Sequence, residues 1–341
     1  MINKSKIDLA RIVWNITNKC NFNCSFCYTN SSPDKQYGLD TKSILKIVSD
    51  INQTDVSVLS LIGGEPLLRK DICEIINAID DRIYLKLDTN GSLLLKNWSN
   101  SLERLNSFSI GLEGEKATNE LDRKSTESVL KSINFLLEKN KIVNVPILVN
   151  KNNFKTIKES LKFILRLGVN RVQVNKFLPV IGLDNKYLSL TTEDENFVLS
   201  SIVDLLEEMP EIKDKIALNG WKNPIYFKKI KVQDEYLPSC HCGELSAAIS
   251  FDGYFVPCTV LSTELTVPKL RQKYSVPNLN TDTITNAYIN SKLFQDFRSY
   301  TNFLSKKCLE CSFNNSCTHG CRGYTLLTEI DIFSHDPTCN I

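Results

Sequence analysis

Residues 10–28 read ARIVWNITNKCNFNCSFCY: an apolar stretch, a short polar turn, then Cys20, Cys24 and Cys27 in the spacing C-x3-C-x2-C. The Ile, Val and Trp of the first half suit a buried strand, so the cysteines fall in the loop after it. Three thiols in one loop can hold a metal centre and leave a coordination position open, as catalytic sites do and structural sites do not. Spacing alone also admits a zinc loop with a distant fourth ligand, or three unrelated buried thiols.

Further apolar strand segments follow at 56–64, 82–91, 107–114, 142–150 and 171–179. Between them, 41–52, 125–140 and 154–168 place apolar residues at helical spacing, and a fourth amphipathic segment covers 194–209. Repeated strand–helix units imply a parallel α/β sheet, either doubly wound or an open barrel. Residues 1–209 therefore read as one domain and 210–239, with Pro210, Gly220, Pro224 and Pro238, as a connector. The Cys-rich tail 240–341 reads as a second, small domain that needs metal to hold it together.

The chain has 341 residues, 42% of them apolar and 23% charged, which fits a globular protein with a sizeable core. A net charge of +2 is too balanced for nucleic acid or a membrane surface to be the main partner. Neither a membrane-spanning run nor a secretory signal is legible, so a cytoplasmic location is expected. In that reducing setting, 12 cysteines against 3 histidines argue for metal rather than disulfides. Eight of them lie in the tail: Cys240, Cys242, Cys258, Cys308, Cys311, Cys317, Cys321 and Cys339. By spacing alone, two four-thiolate zinc sites would serve as well as two clusters. Cys73 stands apart as a small buried hydrophobe, and His241, His319 and His335 read as satisfied or surface imidazoles. The basic stretch Lys228, Lys229 and Lys231 reads as a solvated face.

The C-x3-C-x-aromatic-C motif, with Phe26 as its aromatic, resembles the signature of the radical SAM enzymes, and Gly63-Gly64-Glu65-Pro66 after the second strand resembles their GGEP segment. Asp88-Thr89-Asn90-Gly91, Ser109 with Glu113, and Arg123 are weaker echoes of the same family. The resemblance implies a partial (β/α)6 TIM-like barrel. It also implies a [4Fe–4S] cluster on Cys20, Cys24 and Cys27 whose open iron chelates S-adenosylmethionine and reductively cleaves it to a 5′-deoxyadenosyl radical. Phe26, Tyr28, Gly63, Gly64, Glu65, Pro66, Asn90, Ser109, Glu113 and Arg123 would then contact the cofactor. The tail resembles the SPASM extension with its two auxiliary [4Fe–4S] clusters. By that pattern Cys240, Cys242, Cys258 and Cys321 would hold one cluster, and Cys308, Cys311, Cys317 and Cys339 the other.

Three clusters and S-adenosylmethionine are thus the expected cofactors. The expected activity is hydrogen-atom abstraction from a ribosomally made peptide or protein, giving a thioether or C–C crosslink, an oxidation or an epimerisation. A flavodoxin- or ferredoxin-type electron donor is implied. The barrel begins within about ten residues of the start, so leader recognition, where needed, would fall to the barrel surface or to a separate protein. Thr259 stands where sulfatase-maturing members carry Asp, which weighs against that activity. No catalytic acid or base is legible. The alternatives are the same chemistry on a tetrapyrrole or antibiotic precursor, and a metal-stabilised binding or sensor module.

Overall fold

The computed structural model describes residues 7–115, 126–221, 240–300, 304–312, 314, 317, 319–329, 331–337 and 339. Its frame is one sheet of nine strands: β1 Arg11–Asn15, β2 Val58–Ile62, β3 Tyr84–Thr89, β4 Ser107–Ile110, β5 Ile142–Val149, β6 Arg171–Lys176, β7 Ile216–Asn219, β8 Ser246–Ile249 and β9 Phe255–Val256. Their spatial order is β7-β6-β5-β4-β3-β2-β1-β8-β9. Every pairing is parallel except that of β8 with β9. From β1 to β7 the order never reverses. Right-handed crossovers then place every helix on one face, which selects an open barrel over a doubly wound sheet.

The helices form where the apolar spacing predicts them. Thr41–Asn52 begins on the Asp40 side chain, which accepts a hydrogen bond from the Ser43 amide at 2.8 Å, and turns Ile44, Ile47, Val48 and Ile51 inward. Ile157–Arg166 ends at Gly168, whose φ of +86° is the left-handed stop that glycine supplies without strain. Thr192–Glu208 opens with a reciprocal capping box between Thr191 and Asp194.

The strands alternate rather than running apolar throughout. Residues facing the helices, such as Trp14, Leu59, Leu87, Phe108, Val145 and Val174, are essentially inaccessible and form the main core. Each large side chain so buried contributes about 1.5–3 kcal/mol. The opposite face carries Ser60, Lys86, Asp88, Ser109, Asn144, Gln173 and Asn175, and is the polar interior of the barrel.

The region expected as a connector begins with a 3-10 turn at Pro210–Lys215 and then supplies β7; residues 222–239, with Lys228, Lys229 and Lys231, lie outside the described residues. The tail is not an appendage. β8 pairs in parallel register with β1, Arg11 opposite Ser246 through Trp14 opposite Ile249, and β9 folds back on β8. Ala247 and Ile249 enter the main core, while Ala248 and Val256 join a second cluster with Leu261, Leu293, Phe297 and Leu326. The tail therefore has apolar packing of its own, beyond what its cysteine-rich composition suggests. Cys73 is half-buried against the main core, its Sγ 3.4 Å from Ser99 Oγ.

Because β8 covers the β1 edge, a chain ended at Trp221 exposes a row of unpaired backbone groups. Size-exclusion chromatography and near-UV circular dichroism should show an aggregated or loosely packed product. A compact monomer with native aromatic signals would contradict this account of the edge.

Candidate active site

The cysteine loop is seated by two glycines. A Cβ on Gly63 would lie 2.4 Å from the Thr17 carbonyl oxygen, and one on Gly64 2.2 Å from that of Lys19. No other residue permits so close an approach. The contact is hydrogen-bonded: the Gly64 amide donates to Thr17 O at 2.8 Å and the Glu65 amide to Lys19 O at 2.9 Å. Gly63 and Gly64 thus press on the chain's own backbone just before Cys20, as well as lining the cavity beside it. The loop then closes on itself through Cys27 N to Cys24 O and Cys20 N to Ser32 O, both at 3.1 Å.

Glu65 is fully buried and absent from the cavity wall. Its carboxylate accepts from Leu67 N at 3.0 Å, Asn90 N at 2.8 Å and the Thr89 hydroxyl at 2.8 and 2.9 Å. A buried carboxylate must find such donors, and here they tie the end of β2 to the turn after β3. Burial outweighs these bonds and pushes the Glu65 pKa up to about 7. Glu113 is likewise fully buried and accepts from Leu148 N at 2.8 Å, tying the end of β4 to β5. Pro66 opens a buried 3-10 turn. Glu65, Pro66 and Glu113, expected against the cofactor, stand outside the lining of the cavity; the two carboxylates tie strand ends together. Arg123 lies outside the described residues.

The other expected residues converge. One cavity of about 550 Å³ is lined by Cys20, Cys24, Cys27, Phe26, Tyr28, Gly63, Gly64, Asn90 and Ser109. The ends of β2 to β7 all reach it. Six flat strands would spread over roughly 24 Å, so a shared cavity requires the sheet to curl around it. Asp88, Asn175, Lys176 and Asn219 supply polar walls; Leu148, Phe177 and Val180 supply apolar ones. Asp88 faces Lys86, whose Nζ is 3.2 Å from Oδ1, and Lys176 is held at 2.5 Å from Glu195. The far wall comes from the tail: Thr259, Val260, Tyr324 and Leu327.

The donor set suits an iron–sulfur cluster. Three soft thiols border one cavity, and Cys20 Sγ already receives the Phe22 amide at 3.4 Å and Asn90 Nδ2 at 3.8 Å. Burial pushes the Cys20 thiol up to about 11, so ligation must displace a proton held there. In the tail, Cys242 is hydrogen-bonded through its thiol to both Cys240 and Cys258; the bond to Cys242 and then burial raise Cys240, while Cys242, lowered by its bond to Cys240, is raised overall by that to Cys258 and by burial. Gly323, two residues after Cys321, backs onto Cys258, and a Cβ there would lie 2.7 Å from its Sγ. Burial raises the Cys317 thiol, and Cys339, Cys308 and Cys311 add to the rise. Among the described residues, no three His, Cys, Asp or Glu side chains close around a single metal ion.

Two participants had no motif to mark them. Arg322 is almost wholly buried, and its guanidinium donates to the carbonyls of Ile332 at 3.0 Å, Ser334 at 2.8 Å and His319. Its charge acts on Cys240. Glu264, from the segment after Cys258, reaches back to the first cysteine loop and bonds Asn18, Asn30 and Lys35. Both are long-range contacts, invisible to local spacing. Of the histidines, His319 bonds Asn314 through Nε2 at 2.9 Å and is held below the usual imidazole range by burial and by Arg322.

Comparison with known proteins agrees with this arrangement. The radical SAM superfamily model matches residues 14–164, and the SPASM iron–sulfur cluster-binding model matches residues 240–312. The chain therefore carries a radical SAM domain over the first of these ranges and a SPASM domain in its tail. It is 25% identical to the tungsten-containing aldehyde ferredoxin oxidoreductase cofactor-modifying protein of Pyrococcus furiosus, over 95% of this chain and 92% of that one. It is also 25% identical to a probable GTP 3′,8-cyclase of Methanocaldococcus jannaschii, over 73% of this chain and 85% of the other. In fold it resembles Streptococcus suis SuiB bound to its precursor peptide SuiA, with TM-score 0.74, 20% identity and coverage of 98% and 76%. The anSMEcpe structure with bound AdoMet and a peptide gives TM-score 0.74, 18% identity and coverage of 96% and 93%.

Gly64→Ala should unseat the cysteine loop, and iron and sulfide analysis after anaerobic reconstitution should show roughly one cluster fewer than wild type. An unchanged content would separate the glycine contact from cluster assembly. Glu65→Gln sets an amide N–H against a backbone donor and should cost about 2 kcal/mol in urea unfolding. Because the folded pKa of Glu65 is raised, its stabilising effect is complete below the ordinary 4.5 and is lost as pH rises through about 7. The gap between wild type and Glu65→Gln should narrow across that window; a constant gap would show that Glu65 does not titrate there.

Proposed function

We propose that the chain binds S-adenosylmethionine in the 550 Å³ cavity, beside a [4Fe–4S] cluster held by Cys20, Cys24 and Cys27, and modifies a ribosomally made peptide by hydrogen-atom abstraction. The observation that carries the reading is the composition of this one cavity. Three thiols line it together with tail residues that follow Cys258 and Cys321, among them Thr259 and Tyr324. When bound, the cluster and S-adenosylmethionine supply a 5′-deoxyadenosyl radical.

The chain's own part is to bind, orient and enclose. Gly63 and Gly64 bring their backbone to the cavity wall beside the thiols, and Asn90 holds its amide toward Cys20 and Asn21. Ser109 and Asn175 offer uncharged polar contacts from β4 and β6. Phe26 packs with Phe177 and Leu188 and keeps that side of the loop dry. Cys240, Cys242, Cys258 and Cys321 would hold an auxiliary cluster next to the tail wall, where it would exchange an electron with the substrate. Cys308, Cys311, Cys317 and Cys339 would hold a second auxiliary cluster, reached by a flavodoxin- or ferredoxin-type donor. Thr259, which has no acidic proton to exchange near neutral pH, occupies the wall position next to Cys258.

The peptide reading draws support from the fold's likeness to peptide-bound SuiB and anSMEcpe. A second reading, modification of a small molecule or cofactor, is favoured by the near full-length match to the Pyrococcus furiosus cofactor-modifying protein. Reduced, reconstituted protein should form 5′-deoxyadenosine, and Cys24→Ala should abolish it while keeping about two-thirds of the iron. Mass spectrometry of short peptides encoded beside the gene, co-expressed with the enzyme, should show a mass change that Cys24→Ala removes. Unmodified peptides, with turnover of a small-molecule substrate instead, would decide for the second reading.

A further inference from the structure

A line of hydrogen bonds runs from the tail to a cysteine of the first loop. Glu264 Oε2 accepts from Asn18 Nδ2 at 2.7 Å, while Oε1 accepts from Asn30 Nδ2 at 2.6 Å and from Lys35. Asn18 Oδ1 accepts from the Ser31 hydroxyl at 2.8 Å. Ser31 Oγ is 2.8 Å from Thr29 Oγ1, and Thr29 Oγ1 is 3.1 Å from Cys27 Sγ. Asn18, Thr29 and Ser31 are each 3% exposed, and of the three only Thr29 borders the cavity.

Counting protons fixes its direction. A carboxylate only accepts, so Asn18 must turn its NH2 toward Glu264 and its oxygen toward Ser31. Ser31 has one hydroxyl proton, and that proton is committed to Asn18. The Ser31–Thr29 contact is then satisfied by the Thr29 proton. Thr29 is left facing Cys27 with an acceptor only. A thiol meets that acceptor with its own proton, but a cluster-bound thiolate has none to give.

Resting on the cluster assignment above, we propose that Glu264 is a positioning residue: through Asn18, Ser31 and Thr29 it withholds a hydrogen bond from the Cys27 sulfur and keeps the first cluster strongly reducing. A donor on a ligand sulfur stabilises the extra electron of the reduced cluster and raises its potential. Cleavage of a sulfonium by electron transfer needs the opposite. The tail thereby takes part in the reducing power of the barrel's cluster, in addition to walling the cavity.

Glu264→Gln tests the order with almost no change of shape. Lys35 can only donate, so with Asn30 it holds the new amide oxygen, and the new NH2 faces Asn18. Asn18 must flip, Ser31 then donates to Thr29, and Thr29 donates to the Cys27 sulfur. In EPR-monitored redox titration, the signal that responds to S-adenosylmethionine should move to less negative potential. Ser31→Ala, which leaves the Glu264 contacts to Asn30 and Lys35 intact, frees the Thr29 proton and should shift the signal the same way. Thr29→Val in the Glu264→Gln background should cancel the shift.

An unchanged or lowered potential in both Glu264→Gln and Ser31→Ala, with the signal still responsive to S-adenosylmethionine, would overturn the inference and leave the cluster assignment standing. A shift that survives Thr29→Val would also overturn it. Wild-type protein with no signal responsive to S-adenosylmethionine would instead overturn the cluster assignment, and the inference with it.

Discussion

Everything at the candidate site depends on two lengths of backbone approaching closer than any side chain allows. Where Thr17 and Lys19 lie against Gly63 and Gly64, a single added methyl would overlap a carbonyl oxygen. The contact joins the exit of β1 to that of β2 and aims the cysteine loop into the barrel mouth. Without it, Cys20, Cys24 and Cys27 would be three thiols on a loop of no fixed direction. With it, all three border one cavity whose other walls come from strands far apart in the chain.

Carboxylates repeat this tying role at three places, two of them fully buried. Glu65 joins β2 to the turn after β3, Glu113 joins the end of β4 to β5, and Glu264 joins the tail to the cysteine loop. A carboxylate removed from water costs several kcal/mol unless its lone pairs are met, and Glu65 meets them with donors from its own 3-10 turn and from the end of β3. The same requirement that makes them costly makes them specific. They set where a strand end stops, and so where a cavity wall stands.

The tail belongs to the same construction. β8 extends the sheet beyond β1, and its alternate residues divide between two cores, Ala247 and Ile249 to one and Ala248 to the other. Sheet pairing therefore ties Cys258 and its neighbours to the barrel. The buried guanidinium of Arg322, held by backbone carbonyls, adds a fixed positive charge near Cys240. Thiolate groups that gather negative charge are placed where that charge is partly offset.

Local order was written plainly in the chain. The apolar spacing of 41–52 yields the helix Thr41–Asn52, and each of the six strand segments contains an observed strand. Cys20, Cys24 and Cys27, Gly63 and Gly64, and Asn90 and Ser109 stand at strand ends by motif alone, and the cavity collects them. These signals survive in a sequence because they depend on neighbours within a few residues, where spacing and conformation are one problem. What the fold alone decided is the partner across a long gap. Glu65 and Glu113 read as cofactor ligands because a carboxylate's neighbours in space are not its neighbours in sequence. Glu264 and Arg322 carried no motif at all, and β7 and β8 were hidden in stretches read as connector and tail. Their roles arise only when sheet pairing brings residues more than 200 positions apart into hydrogen-bond range, as with Asn18 and Glu264. The energy of such a contact is set by burial and geometry, which no local pattern encodes.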